Sequence, residues 1–257
     1  MKNFYPLYKK ELRTYFTSPI AYMMITVFSV LSGYLFYGMV KYHNMMSQYS
    51  NRRHQTWEKL SFSDGILKPM MDNISLILLF VVPLLTMRLF AEEKKSGTIE
   101  LLFTYPLKDE EIIAGKFLAS LTVLLSMFSI TVTYPVMLSF FGEIEWGVVF
   151  SGYLGLLLLG MAFLSIGIMV SAMTENQIIA GAGSFGMLLF FWVIGMTKDT
   201  AGPGGINSFL NYLSLTEHFS NFSKGIISTV DLVFYLIFIS FPLFMTYGIL
   251  GSKKWRG

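Results

Sequence analysis

The chain has 257 residues, of which 54% are hydrophobic and 14% charged, with a net charge of +3. A soluble domain of this size carries roughly a quarter charged residues, and here the charge gathers in short segments between long runs that have none. The absence of cysteine excludes disulfide staples, thiolate metal sites and Cys nucleophiles. The weak net charge, without a basic patch on a soluble fold, excludes a nucleic-acid partner.

The N-terminus is polar and aromatic, with Lys9, Lys10, Glu11 and Arg13 ahead of the first long apolar run. No small-residue cleavage site follows that run, so it reads as a retained anchor rather than a signal peptide. At helical spacing Tyr5, Tyr8, Leu12, Tyr15 and Phe16 share one face, while Lys2, Lys9 and Arg13 share another. A basic helix with aromatics on its apolar side lies in the membrane interface. Residues 1–19 are therefore expected to form an interfacial helix with Lys9, Lys10, Glu11 and Arg13 on it, either a simple anchor or also a docking surface. Pro19 marks the break before the first span.

A helix crossing the hydrocarbon needs roughly 20 apolar residues. Six stretches qualify, at about 20–40, 74–90, 117–141, 147–173, 177–197 and 231–251. The second is the shortest without charge, bounded by Asp72 and Arg88, so Arg88 is expected to snorkel to the interface. The Lys/Arg bias sets the orientation. With the N-terminus in the cytoplasm, that side holds Lys2, Lys9, Lys10, Arg13, Arg88, Lys94, Lys95, Lys108, Lys116, Lys253, Lys254 and Arg256. The other side holds Lys41, Arg52, Arg53, Lys59, Lys68, Lys198 and Lys224. The expectation is a multi-pass all-α membrane protein of one domain, residues 1–257, with both termini cytoplasmic.

The first outer loop, about 41–72, carries His43, His54 and Trp57 without metal-ligand spacing and reads as a solvated loop. The stretch RLFAEEKKSGTIELLFTYPLKDEEIIAGK, from Arg88 to Lys116, is the most informative. A charged exit, Glu92-Glu93-Lys94-Lys95, meets the turn pair Ser96-Gly97. A short helix then starts at Thr98, with Ile99, Leu102 and Phe103 on one face, and Pro106 stops it. Asp109 is the expected N-cap of the next helix, with Glu110 and Glu111 in its first turn. A connector that only closed a hairpin would be far shorter. An apolar face on the cytoplasmic side has to be covered by lipid headgroups or by a partner protein.

The last outer segment opens with the turn Gly202-Pro203-Gly204-Gly205. Phe209, Tyr212, Leu213, Phe219, Phe222 and Ile226 follow at near-helical spacing, as a re-entrant or an interfacial helical segment. Asp231 is expected to cap the last span. His43, His54 and His218 all fall in outer loops and show no companion carboxylate. Gly155, Gly160 and Gly167 on the fourth span, and Gly181, Gly183 and Gly186 on the fifth, allow close helix packing.

On these residues the chain resembles the permeases of ABC-2 type transporters. The resemblance rests on Glu92, Glu93, Lys94, Gly97, Thr98, Glu100, Leu101, Leu102, Pro106, Ile112, Ile113, Gly115 and Lys116 in the middle. It extends to Lys10, Glu11, Leu12, Ser18, Pro19 and Tyr22 at the start, and to Tyr212, His218, Phe219, Phe222, Gly225 and Asp231 near the end. Within the family it is most similar to permeases of gliding-motility-associated ABC transporters, and also to those of copper-nitrous-oxide pathways.

The resemblance implies a bacterial inner-membrane permease that pairs with a second permease chain, identical or different, over cytoplasmic ABC ATPase subunits. Glu92, Glu93, Gly97, Thr98, Ile99, Glu100, Leu102, Phe103 and Pro106 would form the ATPase-coupling segment. The chain itself is expected to bind no cofactor, with ATP and Mg on the partner ATPase. An exporter tied to gliding motility, with an extracytoplasmic accessory protein, is the subgroup's implication.

The residues weigh against other classes. Ion-coupled transporters and channels with charged rings need ionisable groups in mid-span, and none lies there. A membrane enzyme needs convergent catalytic groups, and the His residues show none, so the chain is not expected to be an enzyme. No phosphate-binding loop occurs, since Gly115-Lys116 lacks its upstream Gly and downstream Ser/Thr. A non-transporting anchor, passing ATPase cycles mechanically to a partner complex, remains the alternative reading.

Overall fold

The computed structural model describes residues 4–53, 62–100, 108–195 and 212–254. Leu101, Leu102, Phe103 and Pro106 of the expected coupling helix lie outside the described residues, as do His54, Trp57, Phe209 and the 202–205 turn. Among the described residues every regular element is helical. Six helical stretches are long and apolar enough to cross a membrane, so this is an all-α membrane protein.

Helix α1 spans Phe4–Thr17 and α2 spans Pro19–Arg53. The break sits at Ser18. Proline disfavours helical backbone in the residue before it, and opens α2 where its missing N–H costs nothing. A π-helical turn, Ser63–Leu67, runs into α3, Lys68–Thr86. This span begins about ten residues earlier than the charge pattern predicts. Asp72 does not bound it, because that residue sits on an exposed side of the helix beside buried Met71. Inside α3, Pro83 offers no N–H to the turn below, and regular α-helix ends at Thr86, three residues later. A turn over 87–90 leads to α4, Ala91–Lys95. Gly97, at φ +69°, then closes that helix in the left-handed conformation glycine adopts without strain.

Helix α5 covers Asp109–Thr131 and α6 covers Thr133–Ser139. The expected cap is shifted by one residue. Lys108 takes the extended N-cap position, and Asp109, Glu110 and Glu111 all enter the first turn, where the helix dipole favours acids. The Glu111 carboxylate returns to accept the Lys108 N–H at 3.4 Å. Pro135 explains the interruption at Val132, since it lacks the N–H that would reach the Thr131 carbonyl. Helix α7 runs Trp146–Met173 and α8 runs Gln177–Ile194, the latter capped by the Asn176 side chain accepting the Ile178 N–H at 2.9 Å. Helix α9, Leu215–Ser223, and α10, Thr229–Lys254, complete the chain. Ser214 caps α9 by accepting the Glu217 N–H at 3.2 Å.

Helix α7 is the centre. It is apolar all round, as a helix enclosed by others is, and it touches α3, α5, α8, α9 and α10. Its glycines explain how. A Cβ on Gly155 would lie 2.5 Å from Phe222 of α9, and one on Gly160 would lie 2.6 Å from Leu124 of α5. Gly152 faces Met71 and Gly167 faces Thr86, both of α3. These four positions are where neighbouring side chains enter the surface of α7. Gly186 of α8, by contrast, has nothing within 4 Å. Helices α2, α8 and α10 form the rim and expose large apolar side chains such as Tyr34, Phe190 and Phe244.

The contacts sort the helix ends. One end gathers α1, α4, the start of α5 and the end of α7, through Glu11, Glu93, Lys116 and Ala172. The other gathers the end of α2 and the start of α3 through His43, Phe62 and Gly65, the end of α6 through Gly142, and the α9–α10 corner. Successive spans therefore alternate in direction.

Overpacking sets the expected outcome of glycine replacement. Gly160→Leu should lower the stability of the detergent-solubilised protein by about 1–3 kcal/mol. Gly186→Leu, pointing into open space, should leave the thermal midpoint unchanged within about 0.5 kcal/mol. Equal effects from the two substitutions in a thermal-melt comparison would contradict this packing.

Candidate functional site

The most concentrated polar chemistry outside the apolar core lies under α1. Helix α1 does not merely rest in the interface. It packs along the first half of α5, and its buried face carries Leu7 and Glu11. Leu7 fits against Gly115, where an added Cβ would come within 3.1 Å. The Tyr8 hydroxyl bonds Thr122 Oγ1 at 2.8 Å. Tyr15 donates its hydroxyl to the Leu85 carbonyl at 3.0 Å and meets Ser120 Oγ at 3.0 Å. Burial, with the Glu11 charge adding to it, pushes the Tyr15 phenol well above its ordinary value, so it stays a neutral donor.

Between α1, α4 and α5 sits Lys116, 1% exposed. Its Nζ lies 3.1 Å from Glu11 Oε1 and 2.9 Å from Glu93 Oε1. The ammonium also lies 5.1 Å from the centroid of the Phe90 ring, within cation–π range. Lys10 reaches the same two carboxylates from outside, at 3.4 Å to each. Two carboxylates and two ammonium groups make the cluster neutral. A buried ion pair is retained only with a close partner and further hydrogen bonds, and here one buried cation has two anions. Burial lowers the proton affinity of Lys10, but Glu11 and Glu93 outweigh it and hold the Lys10 ammonium above its ordinary value of 10.5. The sign follows. A lysine raised in the folded state contributes stability that is present below 10.5 and is lost only as pH climbs through the higher folded value.

Helix α4 is fastened to the end of α7. Ser171 Oγ accepts the Phe90 and Ala91 N–H groups at 3.1 and 3.2 Å and donates to the Met87 carbonyl at 3.2 Å. Lys94 Nζ donates to the Ala172 carbonyl, at the C-terminal end of α7 where a cation complements the dipole. After the Gly97 turn, Thr98 Oγ1 donates to the Glu93 carbonyl at 3.3 Å and meets Ser96 Oγ at 2.9 Å. Helical backbone does resume at Thr98 and continues through Glu100.

The residues singled out from sequence therefore divide. Glu93, Lys10 and Glu11 are joined in one cluster through Lys116. Glu92, Thr98 and Glu100 are exposed beside it, as are Lys9 and Arg13. Ile99, expected on a face awaiting a partner, is 7% exposed and belongs to the chain's own core. Leu102, Phe103 and Pro106 lie outside the described residues. Glu11, grouped with the basic residues of an interfacial helix, belongs instead to the buried face of α1, because its carboxylate has a cation to meet there.

Sequence reasoning missed Lys116, Phe90 and Ser171 as partners. Lys116 and Glu11 are 105 residues apart, so no local spacing joins them. Only the Gly115-Lys116 pair pointed there. The absence of a carboxylate companion for His218 is also corrected. Asp231, 13 residues on, lies 2.5 Å from its ring.

Breaking the cluster from one side leaves a buried charge without its counterpart. Lys116→Met alone is expected to destabilise by about 3–5 kcal/mol, and adding Glu11→Gln should restore part of the loss. Lys10→Met, at the exposed edge, should cost about 0–1 kcal/mol. Denaturation midpoints of the purified variants check the order, and a Lys10 effect as large as that of Lys116 would contradict it.

A family model described as "ABC-2 family transporter protein" matches residues 5–255 of the chain. No curated protein matches it at a significant level.

Proposed function

Because the chain belongs to the ABC-2 family of transporter proteins, we propose that it is the membrane-spanning permease subunit of an ATP-binding cassette transporter, working with a separate cytoplasmic ATPase and a second permease chain. The observation that carries this reading is the Glu11–Lys116–Glu93 cluster. It ties α1 to α4, which precedes the segment that begins at Thr98, and to the start of α5, which follows it. Sliding any one of the three elements past the others would separate buried charges, at several kcal/mol. A push delivered at residues 98–106 would thus reach α3 and α5 together, and through Ser171 and Lys94 the end of α7. That is what coupling of ATPase closure to the spans requires.

The docking surface is assigned to Glu92, Thr98 and Glu100, together with Leu102, Phe103 and Pro106. Gly97 sets the direction of entry. Ile99 serves the chain's own core. The Gly115-Lys116 pair does not serve as a phosphate loop, because it lies within α5 and Lys116 is engaged by two carboxylates. In this reading hydrolysis belongs to the partner subunit, with its ATP and Mg. The end of the bundle that carries the cluster is taken as cytoplasmic, following the Lys/Arg bias, which puts both termini inside and the α9–α10 corner outside in a bacterial inner membrane. The gliding-motility subgroup and an exporter role rest on the resemblance of the 88–116 segment.

Glu100→Lys reverses an exposed charge and leaves the buried cluster untouched. It is expected to weaken co-purification of the ATPase, or its stimulation in proteoliposomes, by about tenfold or more, the range for a charge facing a partner, with unchanged membrane insertion. Normal binding and stimulation would refute the coupling assignment. Tags at both termini should be accessible only from the cytoplasm, and labelling of either from the periplasm would overturn the orientation.

A further inference from the structure

A groove runs along one side of the bundle between α5 and α10, at the end that carries Lys116. Its volume is about 530 Å³, within the range of sites that take a small organic molecule. Helix α5 supplies Glu110, Ala114 and Phe117 to its wall, and α10 supplies Leu243, Phe244 and Tyr247. The two helices run in opposite directions, so the wall is ordered by depth. Glu110, in the first turn of α5, and Tyr247, one turn past Leu243 towards the end of α10, form the shallow end. Phe117 and Leu243 form the deep end. From Glu110 to Phe117 the helix rises about 10 Å.

The surroundings narrow what can enter. Phe244 and Tyr247 are 68% and 43% exposed, so the groove is open to the side. Both walls belong to membrane-spanning helices, and α10 turns large apolar residues outward. An occupant therefore comes from the bilayer. A helix of a second copy does not fit, because a helix is about 10 Å across and even a 10 Å length of one fills more than the groove holds. A flexible hydrocarbon chain does fit. Apolar walls alone select nothing there, since lipid tails are as apolar as the groove. Selection falls to the shallow end. Glu110 is exposed, and among the described residues no ion pair takes up its carboxylate. A carboxylate at the level of the headgroups attracts a cation and repels a net anion.

We infer that the α5–α10 groove is a lipid site, in which an acyl chain lies along the apolar wall and a protonated amine headgroup meets Glu110. Phosphatidylethanolamine has that chemistry. Phosphatidylglycerol, with the same chains and a net negative headgroup, lacks it. The chain rests against Phe117 and Phe244, and the small side chain of Ala114 leaves it room. Tyr247 stands at the polar end, where an amphipathic ring suits the boundary between headgroups and tails. So seated, the lipid fills the gap between the third and last spans. The inference needs only that the chain spans a bilayer, and does not rest on the transport reading.

Native mass spectrometry of the detergent-solubilised full chain tests it, with phosphatidylethanolamine and phosphatidylglycerol of identical acyl chains offered in equal amounts. The parent protein is expected to retain one lipid, with phosphatidylethanolamine favoured about fivefold, the upper range of an exposed ion pair. Glu110→Gln should keep the lipid and lose the preference. Ala114→Phe, which fills the groove, should lose lipid of either kind. No retained lipid, or equal retention of the two by the parent, overturns the inference. So does an unchanged preference in Glu110→Gln, or undiminished retention in Ala114→Phe. A dimer in place of retained lipid, lost in Ala114→Phe, gives the groove to a second copy and overturns it as well. Glu110 is exposed at a helix end, so its variant decides the matter even where Ala114→Phe fails to fold.

Discussion

Placing a lysine ammonium inside a membrane protein is costly unless an anion meets it, and this constraint organises one whole end of the molecule. Lys116 lies one residue past the glycine that admits Leu7, so the approach of α1 and the position of the charge are set together. Its two carboxylates come from elements far apart in the chain, Glu11 from the N-terminal helix and Glu93 from the helical turn after the second span. Once they converge, α1 is no longer free to float at the bilayer surface. The N-terminal helix becomes a strut of the bundle.

The interior away from that cluster is held by shape. Helix α7 has no polar stripe by which to orient itself. Its neighbours are located by glycines that receive the side chains of Met71, Leu124, Thr86 and, at Gly155, both Phe222 and Phe219. Between helices in lipid the hydrophobic effect supplies little drive, so close contact between small residues and inserted side chains does the locating. The rim helices α2, α8 and α10 keep their apolar residues outward, as chains meeting lipid or another membrane-embedded subunit do.

The two polar clusters divide the molecule's ends by chemistry. One is an ion network of lysines and glutamates linking three elements next to the segment proposed to meet the ATPase. The other is a compact histidine–aspartate–asparagine corner joining α9 to the first turn of α10.

Much of this was legible in the amino-acid order. Long charge-free runs announce membrane helices because a bilayer forbids unpaired polar groups, and this located six spans, the break at Pro19, the Ser96-Gly97 turn and the restart at Thr98. Local rules erred where a charge could turn outward, as at Asp72, which shortened the second span on paper. What only the tertiary structure decided was partnership: Lys116 with Glu11 and Glu93, Ser171 with the turn before α4, Ile99 with its own core, His218 with Asp231. Helical periodicity shows which face a residue occupies, but not which distant residue will stand opposite, because that depends on how whole helices pack. The sequence by itself determined that the chain folds within a membrane, and packing decided which of its few charges would find one another there.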